Sequence, residues 1–239
     1  MLRRYDHEAP CLDVGCGDGL VAGLLERRPE IGLDHDPARC HTARDRRTHH
    51  WVLNADLCRI PCQDNVFRTV VANSVIEHVP DWERALAESH RVLRPGGLLL
   101  VTAPTHRKRD HLFFGRPDAS RDHGSAYREY FDRRWGHVRY ADAEDWRCAV
   151  GDAGFELVDV FSYECPSTSE VIDLLMNVRL SPADWMTEAG GGQIWSRVVF
   201  TLLLPFFEKG LQQNPTGGAI FVAARKPAGT VSPDRNLAE

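Results

Sequence analysis

Near the start of the chain, Asp13-Val14-Gly15-Cys16-Gly17-Asp18-Gly19 has the residue types and spacing of a ligand-binding turn. Gly15 and Gly17 let the backbone approach a ligand where a side chain would block it. Leu20, Val21, Leu24 and Leu25 then repeat at helical spacing, so a helix should follow and present free amides at its N-terminus. Dinucleotide-binding proteins carry Gly-x-Gly-x-x-Gly here. In this chain the third glycine comes one residue early, in Gly-Cys-Gly-Asp-Gly-Leu, and Asp18 at the helix start would repel a pyrophosphate. Both features disfavour NAD. They suit a nucleoside without phosphate, whose ammonium group meets an acidic residue.

Two further aspartates extend this reading. Asp34 follows Ile31-Gly32-Leu33, where a carboxylate can accept from both hydroxyls of a ribose. Asp56, in Asn54-Ala55-Asp56-Leu57, can accept from an adenine amino group, with Leu57 as an apolar face for the ring. Each aspartate alone is equally well a turn or helix cap. Together, at the ends of three successive strands, they favour a ligand site.

The elements that would position these residues alternate. Strands are read at Cys11–Val14, Ile31–Asp34, Trp51–Leu53, Val66–Asn73 and Leu98–Val101. Pro37 suits the first turn of one intervening helix, and Asp81 caps another that ends before Pro95-Gly96-Gly97. Such alternation predicts an α/β fold, a doubly wound, mainly parallel sheet with helices on both faces. Residues 105–141 then break the pattern as a polar, aromatic, histidine-rich insertion. Asp142 caps a helix through Val150, and Phe155–Tyr163 alternates like a strand. A second insertion, 164–216, holds two predicted helices, Ser169–Val178 and Ile194–Leu211, before a last strand at Gly218–Arg225. One domain over 1–227 is predicted, with its core in 10–104, 142–163 and 217–226. Residues beyond it read as a disordered tail. The insertions read as a substrate cover, with a homodimer interface as the competing explanation.

Bulk properties exclude several classes. The 239 residues carry a net charge of −5 with no like-charge block, so no nucleic-acid partner is expected. The basic run His106-Arg107-Lys108-Arg109 reads as a solvated loop. Seven scattered cysteines without a Cys-x-x-Cys pair indicate reduced thiols and a cytoplasmic location. There is no signal core, and the apolar run Val198–Phe207 is too short to span a bilayer. That run reads as a core helix, with a lipid-like acceptor wall or a membrane-surface contact as the sharper alternative.

Four blocks in order resemble the class I S-adenosylmethionine-dependent methyltransferases of the small-molecule type, similar to methyltransferase type 11. They are Leu12–Gly19, Gly32-Leu33-Asp34, Asn73-Ser74-Val75-Ile76-Glu77-His78-Val79 and Arg91-Val92-Leu93-Arg94-Pro95-Gly96-Gly97. The resemblance covers Pro10 to Pro104, and weakly Trp146 to Phe155. It implies a seven-stranded Rossmann-like sheet with the last strand antiparallel, and S-adenosylmethionine as cofactor. It further implies that Asp13, Gly15, Cys16 and Gly17 line the methionine end, and that Asp34 and His35 hold the ribose. Asp56 and Leu57 would flank adenine, and Asn73 would contact the amino-acid portion through its backbone. The family usually carries one or two helices before the first strand. Here only Met1 to Ala9 precede it, so either the start lies elsewhere or the insertions close the site.

Methyl transfer needs an aligned acceptor, exclusion of water and, for an oxygen or nitrogen acceptor, a base. His78, just past the fourth strand, is the catalytic candidate; simple packing is its alternative. His106, His111, His123 and His137, with Tyr127, Tyr130 and Trp135, can build an acceptor pocket, of which His106, His111, Tyr127 and Tyr130 are the substrate candidates. A metal at His111, Asp118, Asp122 or His123 has no recognised spacing, and none is expected. The expected function is methyl transfer to a small molecule of secondary metabolism, first an oxygen of a sugar. A non-methylating enzyme and a catalytically silent binding subunit on the same fold are the alternatives.

Overall fold

The computed structural model describes residues 5, 8–25, 27–115, 121–177 and 209–228. A seven-stranded sheet runs through it, in the order β3-β2-β1-β4-β5-β7-β6. The strands are β1 Cys11–Val14, β2 Ile31–Asp34, β3 Trp51–Asn54, β4 Phe67–Asn73, β5 Leu93–Pro104, β6 Glu156–Tyr163 and β7 Ala219–Arg225. β1 to β5 pair in parallel, and β7 runs antiparallel to both β5 and β6. β1, most of β4 and the Gly97–Pro104 part of β5 are buried and mainly apolar because helices cover both faces of the sheet. β3 is an edge strand and leaves Trp51 exposed.

Five α-helices are described: α1 Pro37–Arg46, α2 Trp82–Val92, α3 Arg121–Trp135, α4 Ala143–Asp152 and α5 Pro166–Asn177. Their starts follow from local chemistry. The Asp36 carboxylate accepts from the amides of Ala38 and Arg39, with Pro37 in the first turn. Asp81 accepts from Arg84 N–H at the start of α2. Asp142 and Asp145 form a reciprocal capping box on α4. The largest core joins Leu12, Val14, Leu33, Phe67, Ile76, Trp82 and Trp146, among others, with Trp146 edge-on to Trp82 at 5.1 Å. Arg91 ties α2 to the stretch after β3. Its guanidinium donates to the carbonyls of Ile60 and Cys62 and to the carboxylates of Asp64 and Glu88.

Three elements differ from the sequence reading. No α-helix follows the glycine loop. Residues 17–25 form turns and one 3-10 turn, Ala22–Leu24, with Leu20 and Val21 exposed. Gly19 has φ +80° and Gly23 lies four residues on, so two poor helix formers interrupt a very short segment. β5 begins at Leu93 and takes in Pro95-Gly96-Gly97, with a register shift opposite Phe67 and Thr69 absorbing the glycines. The first insertion holds α3, which the sequence pattern did not give. Its inward residues, Tyr127, Phe131 and Trp135, are few but spaced by four, the signal that would have found it. The apolar segment 194–208, the tail beyond 228, Asp118, and the side chains of Asp122 and His123 lie outside the described residues. Among the described residues, no helix is long and apolar enough to cross a membrane.

Candidate functional site

The strand order reverses between β1 and β4, and a crevice at the carboxyl ends of strands opens at such a point. A cleft of about 1350 Å3 lies there. That is ample for a nucleoside ligand and a second small molecule together.

One wall comes from the ends of β1, β2 and β3. The Asp34 side chain is buried and lines the cleft. Gly17 N–H donates to its Oδ2 at 2.8 Å and Asp36 N–H to its Oδ1 at 2.9 Å. A carboxylate has about four lone-pair directions, so each oxygen keeps acceptor capacity for one further donor. Two neighbouring hydroxyls are the group that such a pair of oxygens fits. His35 is exposed, with Nδ1 3.5 Å from Asp34 Oδ1. Asp56 caps the 3-10 turn Leu57–Arg59 by accepting from Cys58 N–H at 2.8 Å, while it, Leu57 and Ala55 line the cleft. Gly15 passes over β4's end with φ +66°. A Cβ there would lie 2.2 Å from Val75 Cγ2, so only glycine fits.

The other predicted members of this wall support it from behind. Asp13 is turned away from the cleft and pairs with the buried His49, Nε2 to Oδ2 at 2.9 Å. Cys16 is buried against β2, and burial pushes its thiol well above the usual range. Asn73 accepts through Oδ1 from the Thr102 hydroxyl, leaving Ser74 and Val75 to line the cleft. Gly17 contributes its amide to Asp34 and does not line the cleft itself. Asp18 pairs with Arg46 at the surface, and its repulsive field is partly cancelled.

The second wall is made of β4's exit and the insertions. Glu77, His78, Phe131, Trp135, Gly136 and His137 line it, with Glu164, Ser169 and Asp173 from the second insertion. His78, the catalytic candidate, is therefore in the cleft. Its Nδ1 lies 3.1 Å from Gly136 O, a carbonyl that can only accept, so Nδ1 carries the proton and Nε2 the lone pair. His78 and His137 rings lie 5.1 Å apart. Burial, then the neighbouring His78, holds His137 down to about 4. Glu77 is buried, which pushes its carboxyl up to about 8, and its Oε2 finds no hydrogen-bond partner among the described residues.

The four predicted substrate residues do not line this cleft. His106 is exposed and faces Asp145 at 3.8 Å. His111 is half-buried beside β7's start, and burial lowers its pKa. Tyr127 donates to Asp173, and Tyr130 is exposed against Arg134. Tyr127 shares the inward stripe of α3 but its hydroxyl is taken by Asp173, and Tyr130 lies on the exposed face. Further along the same stripe Phe131 and Trp135, the latter among the aromatics predicted for the acceptor pocket, reach the cleft. His137, one of the histidines predicted to build the acceptor pocket, does line the cleft. Glu77 was quoted only within a motif, because a glutamate before a histidine carries no sign of burial.

Comparisons with known proteins agree with this architecture. The methyltransferase-domain family matches residues 12–101. A "probable S-adenosylmethionine-dependent methyltransferase" of Mycolicibacterium smegmatis is 39% identical over 95 residues, covering 39% of this chain and 37% of that protein. The chain spans little more than a third of the length of these curated relatives that it matches. Phosphoethanolamine N-methyltransferase 2 of Haemonchus contortus, solved with S-adenosyl-L-methionine, superposes with a TM-score of 0.59 at 17% identity, over 95% of this chain and 51% of that one. The [4+2]-cyclase SpnF superposes with a TM-score of 0.58 at 22% identity, over 95% and 78%. These two likenesses are of fold. They agree with the match of residues 12–101, which are similar to a methyltransferase domain.

Proposed function

We propose that this chain binds S-adenosylmethionine along the β1–β3 wall and transfers its methyl group to a small-molecule acceptor held by the second wall. The observation that carries the reading is Asp34, a buried carboxylate fixed by two backbone amides with spare acceptor capacity opening on the cleft. The site also fits the cofactor's charge. Carboxylates, Asp34 and Asp56 among them, outnumber the basic side chains Arg39, Arg59, Arg84 and Lys108 on the cleft, a balance that favours a ligand with an ammonium and a sulfonium.

When bound, the cofactor supplies an activated methyl group that leaves sulfur by in-line displacement. The chain's own task is alignment and the exclusion of water. Asp34 accepts from the ribose hydroxyls, with His35 at the exposed rim. Asp56 and Leu57 take the adenine, and Gly15 and Ser74 admit the amino-acid end. Phe131 and Trp135 shed water from the acceptor's side. His78 presents Nε2 to the acceptor heteroatom, a suitable place to receive its proton. An oxygen acceptor, for example a sugar hydroxyl, suits this hydrogen-bonding wall.

Isothermal titration with S-adenosylmethionine should give one site per chain, and Asp34→Ala should remove most of its affinity. Absence of heat and of any thermal shift with the cofactor would sink the reading. Conversion to S-adenosylhomocysteine with candidate acceptors then distinguishes methyl transfer from mere binding, which the cyclase likeness makes worth separating.

A further inference from the structure

We propose that Glu77, His78 and His137 form a binding site for one divalent transition cation, zinc-like in preference, on the acceptor wall of the cleft. Each of the three offers a ligand atom, and these atoms lie within 4.8 Å of one another. Bonds of about 2.0–2.2 Å hold two ligands on one ion at most about 4.4 Å apart, so closure by a few tenths of an ångström completes the site.

The hydrogen bonds around the cluster aim its lone pairs. His78 Nδ1–H is taken by Gly136 O, which leaves Nε2 as the acceptor nitrogen. The Tyr140 hydroxyl donates to Asp132 and therefore accepts from His137 Nδ1–H at 2.9 Å. His137 Nε2 is then also a lone pair. Metal-bound histidines are oriented in this way, with the second ring nitrogen donating to a carbonyl or to a carboxylate-linked partner. Glu77 supplies the independent observation. Its side chain is 4% exposed, it lines the cleft, and Oε2 has no partner among the described residues. A buried carboxylate oxygen without a donor calls for a proton or a cation.

Two imidazoles and one carboxylate suit zinc and the neighbouring first-row ions, whereas magnesium prefers oxygen ligands and keeps its waters. Three protein ligands leave positions open, and His78 is the exposed member of the three and lines the cleft. On the proposed function, an acceptor oxygen would bind at an open position; the ion, in place of His78 Nε2, would favour its deprotonated form, and the proton would leave to water at the exposed rim. That last step rests on the methyl-transfer reading; the cation site does not.

The test is titration of chelator-stripped full-length protein with zinc chloride, with cobalt chloride for its visible spectrum and magnesium chloride as contrast. One equivalent of zinc should bind, and magnesium should not compete at equal concentration. Glu77→Gln and His137→Gln should each weaken zinc at least about tenfold. Their affinity for S-adenosylmethionine and their melting temperatures show that the fold is kept. Asp34→Ala should lose the cofactor and keep zinc, which separates this site from the cofactor reading. No stoichiometric zinc or cobalt binding would overturn the proposal. Binding that both glutamine variants leave unchanged would overturn it too, because the ion would then sit elsewhere.

Discussion

The two walls of the cleft are built by different means. On the β1–β3 wall, backbone amides hold the working side chain: Gly17 and Asp36 fix Asp34, and Cys58 fixes Asp56. On the second wall, the Gly136 carbonyl holds His78, but His137 is held by a chain of side chains, from Asp132 to Tyr140 to His137. A backbone-held group depends on the course of a few consecutive residues. A chain of side chains depends on the packing of separate segments. The first wall should therefore tolerate changes around it, and the second should be sensitive to single polar atoms.

Four substitutions sharpen or break that contrast. The largest effect belongs to the core that both walls share. Trp146→Ala should cost about 3–5 kcal/mol in urea denaturation, because a fully buried ring on Trp82 leaves a cavity. A loss below 1 kcal/mol, by the usual range for surface sites, would show that the walls stand independently.

Asp34→Ala should weaken S-adenosylmethionine at least about 100-fold, near 2.7 kcal/mol, while changing the melting temperature little. Equal loss of stability and affinity would mean that Asp34 is mainly a structural tie between Gly17 and Asp36. Next comes Arg91→Ala, which removes three ties between α2 and residues 60–64. Its side chain is 30% exposed, so about 1–2 kcal/mol is the expected destabilisation by thermal melting. Cofactor affinity should follow only slightly, since Arg91 stands outside the cleft.

The smallest effect is the most discriminating. Tyr140→Phe takes the acceptor from His137 and a donor from Asp132. Stability should fall by about 1 kcal/mol. Zinc affinity and methyl transfer should fall several-fold while S-adenosylmethionine affinity holds. A parallel loss of cofactor affinity would show that the two walls are not separate.

The same contrast explains what could be read from the sequence. Asp34 and Asp56 end short apolar runs, and the turn that fixes each lies within a few residues. Gly15 is demanded by Val75, but its place in the loop is local. The mainly parallel sheet is likewise legible, because it is written in strand and helix alternation, whereas its antiparallel last strand is implied only by the family resemblance. The helix after the glycine loop was misread because Leu20 and Val21 keep helical spacing without a core to bury them. The acceptor wall was largely hidden. Tyr127, Tyr130 and His106 have the right chemistry, but only the rotation of α3 decides that Phe131 and Trp135 face inward. Glu77 and His137 meet through tertiary packing, and no spacing along the chain reports it.

The first insertion reaches β4's exit through two backbone contacts described for or near the histidines. Gly136 O receives His78 Nδ1–H, and Val138 N–H donates to Glu77 O at 2.9 Å. Neither contact reads the identity of a side chain on the insertion. The joint therefore behaves as a socket of fixed shape, into which a loop of different lining can be fitted. A chimera exchanging residues 105–141 would keep this carbonyl and this amide in place, together with Arg139 on Pro80 and Trp82 and the Thr105 and Lys108 ties to Gly217 and Glu164, to seat a new recognition surface against an unaltered donor half.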